Sequence, residues 1–199
     1  MFGSELRSGL WWWTAYHDEW KDDVGCAGLA LPEGGAVLID PLIPEESWLE
    51  RLHGDIHVLV TLYWHARSAR LLAERLGARV WASRRGAAAL RRRAPVSNAF
   101  VPREELPGGV VPYAAARGSE VLFWLPAQRA LFVGDALLWR DSEVQLCPQS
   151  WLPRGRTQAE LAESLRPLLE LPVELLLISH CEVVSEDARG ELERALSSV

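Results

Sequence analysis

Apolar residues in this chain come in short blocks, and the blocks follow two kinds of spacing. Ile56 to Leu62 (IHVLVTL) is a nearly continuous apolar run, as expected of a strand in the middle of a sheet. Leu175 to Ser179 reads as another buried strand, and Arg79 to Ala82 as a short one. Gly9 to Tyr16 (GLWWWTAY) is an aromatic-rich strand, Val24 to Leu31 a second and Gly35 to Asp40 a third. The Glu33-Gly34-Gly35 turn predicts a hairpin between the last two. Val121 to Leu125 and Ala130 to Val133 form a further hairpin through Pro126 to Arg129. Other stretches have helical spacing. Ala66 to Leu76 puts Ala69, Leu72, Ala73 and Leu76 on one face and stops at Gly77. Thr157 to Glu170 opens with a Thr157/Glu160 capping box. Pro44 to Leu52, Arg84 to Arg93 and Glu186 to Leu196 complete the predicted helices.

Strands alternating with helices specify a layered α/β domain rather than a bundle or an all-β sandwich. Two blocks emerge, each opening with hairpin strands and ending in strand–helix units. They join at Pro95 to Pro112, a Pro- and Gly-rich stretch. Neither block has enough core alone, so residues 1–199 read as one domain.

Composition narrows the function. With 49% apolar and 24% charged residues a folded core is expected. A net charge of −6 argues against a dedicated nucleic-acid or membrane-surface binder. No apolar run approaches the ~20 residues that span a bilayer, and no signal peptide is visible at the N-terminus. Cys26, Cys147 and Cys181 are odd in number and lack a CxxC pair. That spacing argues against a disulfide scaffold and fits a reducing, cytoplasmic setting. The basic run Arg84, Arg85, Arg91, Arg92, Arg93 reads as a solvated face. Of Trp11, Trp12 and Trp13, at least one should face outward, which edge packing or a homo-oligomer contact would accommodate.

Four titratable residues follow apolar strands: Asp40, His65, Asp135 and His180. Ligands gather at the carboxyl ends of strands in α/β sheets, so four such groups mark a candidate site. Any one alone is more often a cap or a satisfied core group. Cys181 follows His180 directly, and neighbours in an extended segment point to opposite faces, so it reads as a buried structural cysteine. There is no G-x-S-x-G elbow and no phosphate-binding glycine loop.

These residues carry a resemblance. VLIDPL at Val37–Leu42, ALFVGDAL at Ala130–Leu137 and LLISHCE at Leu176–Glu182 resemble motifs of the metallo-β-lactamase (glyoxalase II-like) superfamily. RGSEVLFWLPAQRALFVGD resembles its hairpin before the metal-bridging Asp. The resemblance implies a four-layer αββα sandwich with the site along one edge. The departures are as informative. Where the family has H-x-H-x-D-H, this chain has Thr61-Leu62-Tyr63-Trp64-His65-Ala66-Arg67-Ser68, and Tyr113 to Ser119 offers no His. A two-zinc centre with its full ligand set is therefore not expected, since each zinc takes about four N, O or S donors.

What remains depends on register. Counted back from Gly77, His65 matches the last His of the signature, and His65, Asp135 and His180 share one metal position. That set suits at most one divalent ion, zinc, manganese or iron. Counted forward from Thr61, the survivors are split and hold no metal well. Asp40 and Arg67 stand behind this set. Arg67 either pairs with Asp135, leaving a metal-free site, or lies on the solvated face of its helix. Two functions follow from the resemblance. One is a divergent hydrolase with a reduced site, attacking an ester or thioester of a small-molecule substrate. The other is a non-catalytic, metal-free binding or interaction protein on the same scaffold.

Overall fold

The computed structural model describes residues 3–199. Its first sheet runs in chain order through β1 (Ser4–Arg7), β2 (Leu10–His17), β3 (Asp22–Ala30), β4 (Ala36–Ile39), β5 (Ile56–Val60), β6 (Arg79–Ser83) and β7 (Asn98–Phe100). The first four strands are antiparallel neighbours, and the remaining pairings are parallel. The chain continues through β8 (Val111–Ala114), β9 (Val121–Leu125) and β10 (Ala130–Val133) to a small hairpin of β11 (Leu137–Arg140) and β12 (Glu143–Leu146). With β13 (Leu175–Ile178) and β14 (Glu182–Val184) it completes a second sheet, ordered β14-β13-β10-β9-β8.

Side-chain alternation turns these sheets into four layers. In β5, Val58 and Val60 pack towards helices α1 (Ala69–Leu76) and α2 (Ala87–Leu90), while Leu59 faces the other sheet. In β10, Leu131 and Val133 pack under α3 (Gln158–Leu165) and α4 (Ala188–Ser197), while Phe132 faces inward. Phe100, Phe123, Phe132, Leu59 and Leu177 fill the space between the sheets. Strands covered on both sides must be apolar at every position, which is why these runs are continuous. Each fully buried Leu or Phe contributes roughly 1.5–3 kcal/mol relative to exposure. Of the three consecutive tryptophans, Trp12 lies between the sheets and Trp13 on the helix side, while Trp11 is half-buried.

Local signals explain most boundaries. The Thr157 side chain accepts from Glu160 N at 3.2 Å, and Glu160 accepts from Thr157 N at 2.9 Å. This box starts α3, which tightens into a 3₁₀ turn over Arg166–Glu170 where Pro167 removes a backbone donor. Gly77, at φ +66°, caps α1 in the left-handed region. Three expectations are corrected. Pro44–Leu52 holds only a 3₁₀ turn, Glu46–Arg51. The predicted Arg84–Arg93 helix shrinks to Ala87–Leu90, with its arginines left in flanking turns. Cys181 is half-buried rather than buried. Among the described residues no helix is long and apolar enough to cross a membrane.

Candidate functional site

Asp40, His65, Asp135 and His180 converge at one edge of the sandwich. Asp40 ends β4 in the left-handed region (φ +46°) with its carboxylate fully buried. It accepts from Thr61 N at 2.8 Å and from the Thr61 hydroxyl, and its Oδ2 lies 2.8 Å from His65 Nδ1. His65, on the 3₁₀ turn after β5, points its other nitrogen, Nε2, at Asp135 Oδ1, 3.0 Å away. His180 Nε2 reaches the same oxygen at 3.1 Å. An imidazole flanked by carboxylate oxygens on both nitrogens can donate from both only when it is protonated, so this setting favours the charged form. Burial works against that charge, but Asp40 and Asp135 outweigh it and raise the His65 pKa.

The other carboxylate oxygen of Asp135 is also engaged. Asp135 Oδ2 accepts from Trp64 Nε1 at 3.0 Å and pairs with Arg117 Nη2 at 3.2 Å. Arg117 is only 6% exposed. Its Nη1 donates to Glu120 Oε2 at 2.8 Å, and Glu120 Oε1 accepts from the backbone N–H groups of Asp135 and Ala136. Burial would raise the Asp135 carboxyl, but hydrogen bonds from His180 and His65 and the charges of His65 and Arg117 hold it well below the usual carboxylate range. Glu120 is pushed up to about 7, mainly by burial, against the opposing pull of Arg117.

Arg67 takes neither course expected of it. It does not reach Asp135, and it is half-buried rather than solvated. An unusual backbone at Arg67 (φ +38°, ψ −116°) turns its side chain across the base of the site. There it donates to Gly25 O at 2.8 Å, Asp40 O at 2.7 Å and Ser179 Oγ at 2.7 Å. It thus ties both sheets together beneath Asp40. The cation on Asp135 is Arg117, from the segment noted above for its missing His.

Above this network lies a cavity of about 410 Å³ walled by Trp20, Trp64 and Trp151, with His65, His180 and Arg117 at its base. Trp faces carry the chain's own arginines: Arg67 over Trp20 at 5.6 Å and Arg117 over Trp64 at 5.2 Å. Asp22 stands exposed at the cavity's lip. The thiol of Cys181 is pushed up to about 12, chiefly by burial, which disfavours the thiolate.

No protein-family model and no curated protein matches the chain. Solved structures do. A DIM-1 metallo-beta-lactamase superposes with a TM-score of 0.76 at 14% identity, covering 98% of this chain and 95% of that one. A metallo-beta-lactamase from Pontibacter korlensis gives 0.72 at 17% identity, covering 98% of both chains. A metallo-beta-lactamase family protein from Thermus thermophilus gives 0.69 at 20% identity, covering 96% of this chain and 79% of the other. The chain has the metallo-β-lactamase fold.

On this metallo-β-lactamase fold, sequence reasoning named Asp40, His65, Asp135 and His180 but missed Arg117, Glu120 and the three cavity tryptophans. The sequence marks Arg117 only by its isolation and gives it no direction. Arg117 is the sole charged residue between Tyr113 and Ser119, and it stands three residues before Glu120.

These shifted groups set a pH dependence. His65, with its pKa raised above 6.5, contributes stability that is complete below that pH and lost as pH rises through its folded value. Glu120, raised from 4.5 to about 7, acts in the same direction, because the folded state increasingly has to bury its charge. Asp135, lowered below 3.8, contributes stability lost only as pH falls towards its folded value. The thermal midpoint should therefore be higher in mildly acidic solution than above neutrality, and Glu120→Gln should remove part of the alkaline loss. A midpoint that climbs steadily into alkaline solution would contradict these assignments.

Proposed function

We propose that this chain is a metal-independent ligand-binding member of the metallo-β-lactamase fold, with its small-molecule site in the tryptophan-walled cavity. The observation that carries this reading is the buried Arg117 guanidinium, 3.2 Å from Asp135 and 2.8 Å from Glu120. In this network three buried carboxylates, Asp40, Glu120 and Asp135, stand with Arg117 and His65, and Arg67 bonds the backbone carbonyl of Asp40. With His65 protonated, the set is neutral when Glu120 is ionised and positive when Glu120 is protonated. Neither state leaves negative charge for a divalent ion to neutralise. A cation seated on Asp135 would also lie beside Arg117 in a dry site, where like charges repel strongly. The residues present therefore fit a metal ion poorly. The orphaned polar atoms of these site residues support this: the buried Nε groups of Arg67 and Arg117 are donors, which suit no metal.

One observation favours a second reading. His65 Nε2, His180 Nε2 and Asp135 Oδ1 meet within 3.0–3.1 Å, and Asp40 backs His65 as a carboxylate backs a metal-binding imidazole. A single zinc, manganese or iron held by His65, Asp135 and His180 would acidify a bound water for hydrolysis. Among the described residues, however, no group of three or more His, Cys, Asp or Glu is arranged to hold a metal ion.

Turnover separates the readings. Lactam, lactoylglutathione and phosphodiester substrates, each offered with added zinc and with added manganese, should show no enzymatic hydrolysis. A rate typical of enzymes, about 1–10³ s⁻¹, that is lost in Asp135→Asn would establish the hydrolase instead.

A further inference from the structure

A second cavity, of about 340 Å³, opens at the side of the sandwich between the edge strands β7 and β8. Its accessible apolar lining is Val101, itself 38% exposed, with Pro102 and Ala114, over the buried Phe100 and Val121. Its volume falls within the ~300–1,000 Å³ of small-molecule sites. Arg84 and Arg85, from the turn after β6, stand at its mouth.

The charge there is unbalanced. From Ser83 to Arg103 the chain carries six arginines and no carboxylate, although the whole protein is acidic at −6. Most other arginines of the described chain pair with an acid, stack on an aromatic ring or bond a backbone carbonyl. Arg84 and Arg85 have no side-chain partner among the described residues. One carboxylate, Glu120, borders the cavity, but its oxygens are taken by Arg117, Asp135 N and Ala136 N. An anion at the mouth would thus meet two free guanidiniums and no competing free acid. Guanidinium groups suit carboxylate and phosphate heads, which they bond through two parallel N–H groups.

We propose that this cavity is a binding site for a small anionic amphiphile, its apolar body against Val101, Pro102 and Ala114 and its oxyanion head against Arg84 and Arg85. It is separate from the tryptophan-walled cavity and does not depend on the metal state of that site. The two share only the segment from Ala115 to Val121, in which Glu120 borders one and Arg117 the other.

The test is calorimetric titration of the full chain with octanoate and with octyl phosphate, with 1-octanol and inorganic phosphate as controls. Both amphiphiles should bind saturably at one site and weaken as salt is added. The exposed double variant Arg84→Ala/Arg85→Ala should raise Kd by about tenfold or more, as expected when charge-assisted hydrogen bonds are lost. Ala114→Trp, which fills the cavity from an exposed position on β8, should do the same. Trp151→Ala, in the other cavity, should leave Kd unchanged. No saturable binding at millimolar ligand would overturn the proposal. So would equal binding of 1-octanol or of inorganic phosphate, or loss of binding in Trp151→Ala but not in the two local variants.

Discussion

Replacing Arg117 with alanine is expected to cost about 3–5 kcal/mol, the range for removing one partner of a buried ion pair. For a chain of this size the thermal midpoint then falls by roughly 6–20 °C. The reason is what remains. Glu120 and Asp135 are both buried, and without Arg117 their charges lose the guanidinium that bridges them at 2.8 and 3.2 Å. Stranded carboxylates take up protons or pull in water, and either is costly. Asp135→Asn on the Arg117→Ala background should recover part of the loss, because one stranded charge is gone. The two changes should therefore be strongly non-additive. Near-zero, additive effects would mean that Arg117 does not hold the site together.

Asp40→Asn is the second large expected effect. Asparagine tolerates the left-handed backbone at this position and can still accept from Thr61 N. It cannot balance a charge on His65, so the substitution isolates the ionic part of the contact. The loss should approach the same 3–5 kcal/mol range, limited by the option His65 gains of releasing its proton. His65 should then titrate at lower pH than in the parent protein, readable from its imidazole carbon-bound protons by NMR. The alkaline loss of stability due to His65 should shrink with it. An unchanged His65 titration would show that Asp40 is not its counter-ion.

The fold was legible where burial on both faces forces unbroken apolar runs. β4, β5, β9, β10 and β13 all stand out for that reason, and all lie in the interior of their sheets. Most of the missed strands, β1, β7, β8 and β14, are sheet edges. One side of an edge strand makes no ladder, and three or four residues of mixed polarity leave no period to read. The small β11–β12 hairpin is missed for the same want of length. The Arg84–Arg93 helix fails differently. Arg84 N bonds Phe100 O and Gly86 N bonds the Ser83 hydroxyl, so the first turn is spent on β7 and on a local side chain.

At the site, strand-end position was enough to pick out Asp40, Asp135 and His180, because a buried strand fixes where its next residue emerges. Two arginines show the limit. Arg67 was singled out for its place in the altered motif, but a backbone conformation no pattern predicts sends it to Gly25, Asp40 and Ser179. Arg117 sits in an irregular loop in a chain with 20 arginines, where neither period nor spacing gives it a direction. Only the closure of β8–β9 against β10 brings it onto Asp135.

In the proposed reading, Arg117 and His65 occupy the electrostatic role a metal ion would otherwise fill. Calorimetric titration of chelator-treated, untagged full chain with zinc tests it most directly. No saturable binding is expected, and a thermal midpoint that zinc leaves unchanged. One zinc bound tightly per chain, raising the midpoint and lost in His180→Ala, would contradict it.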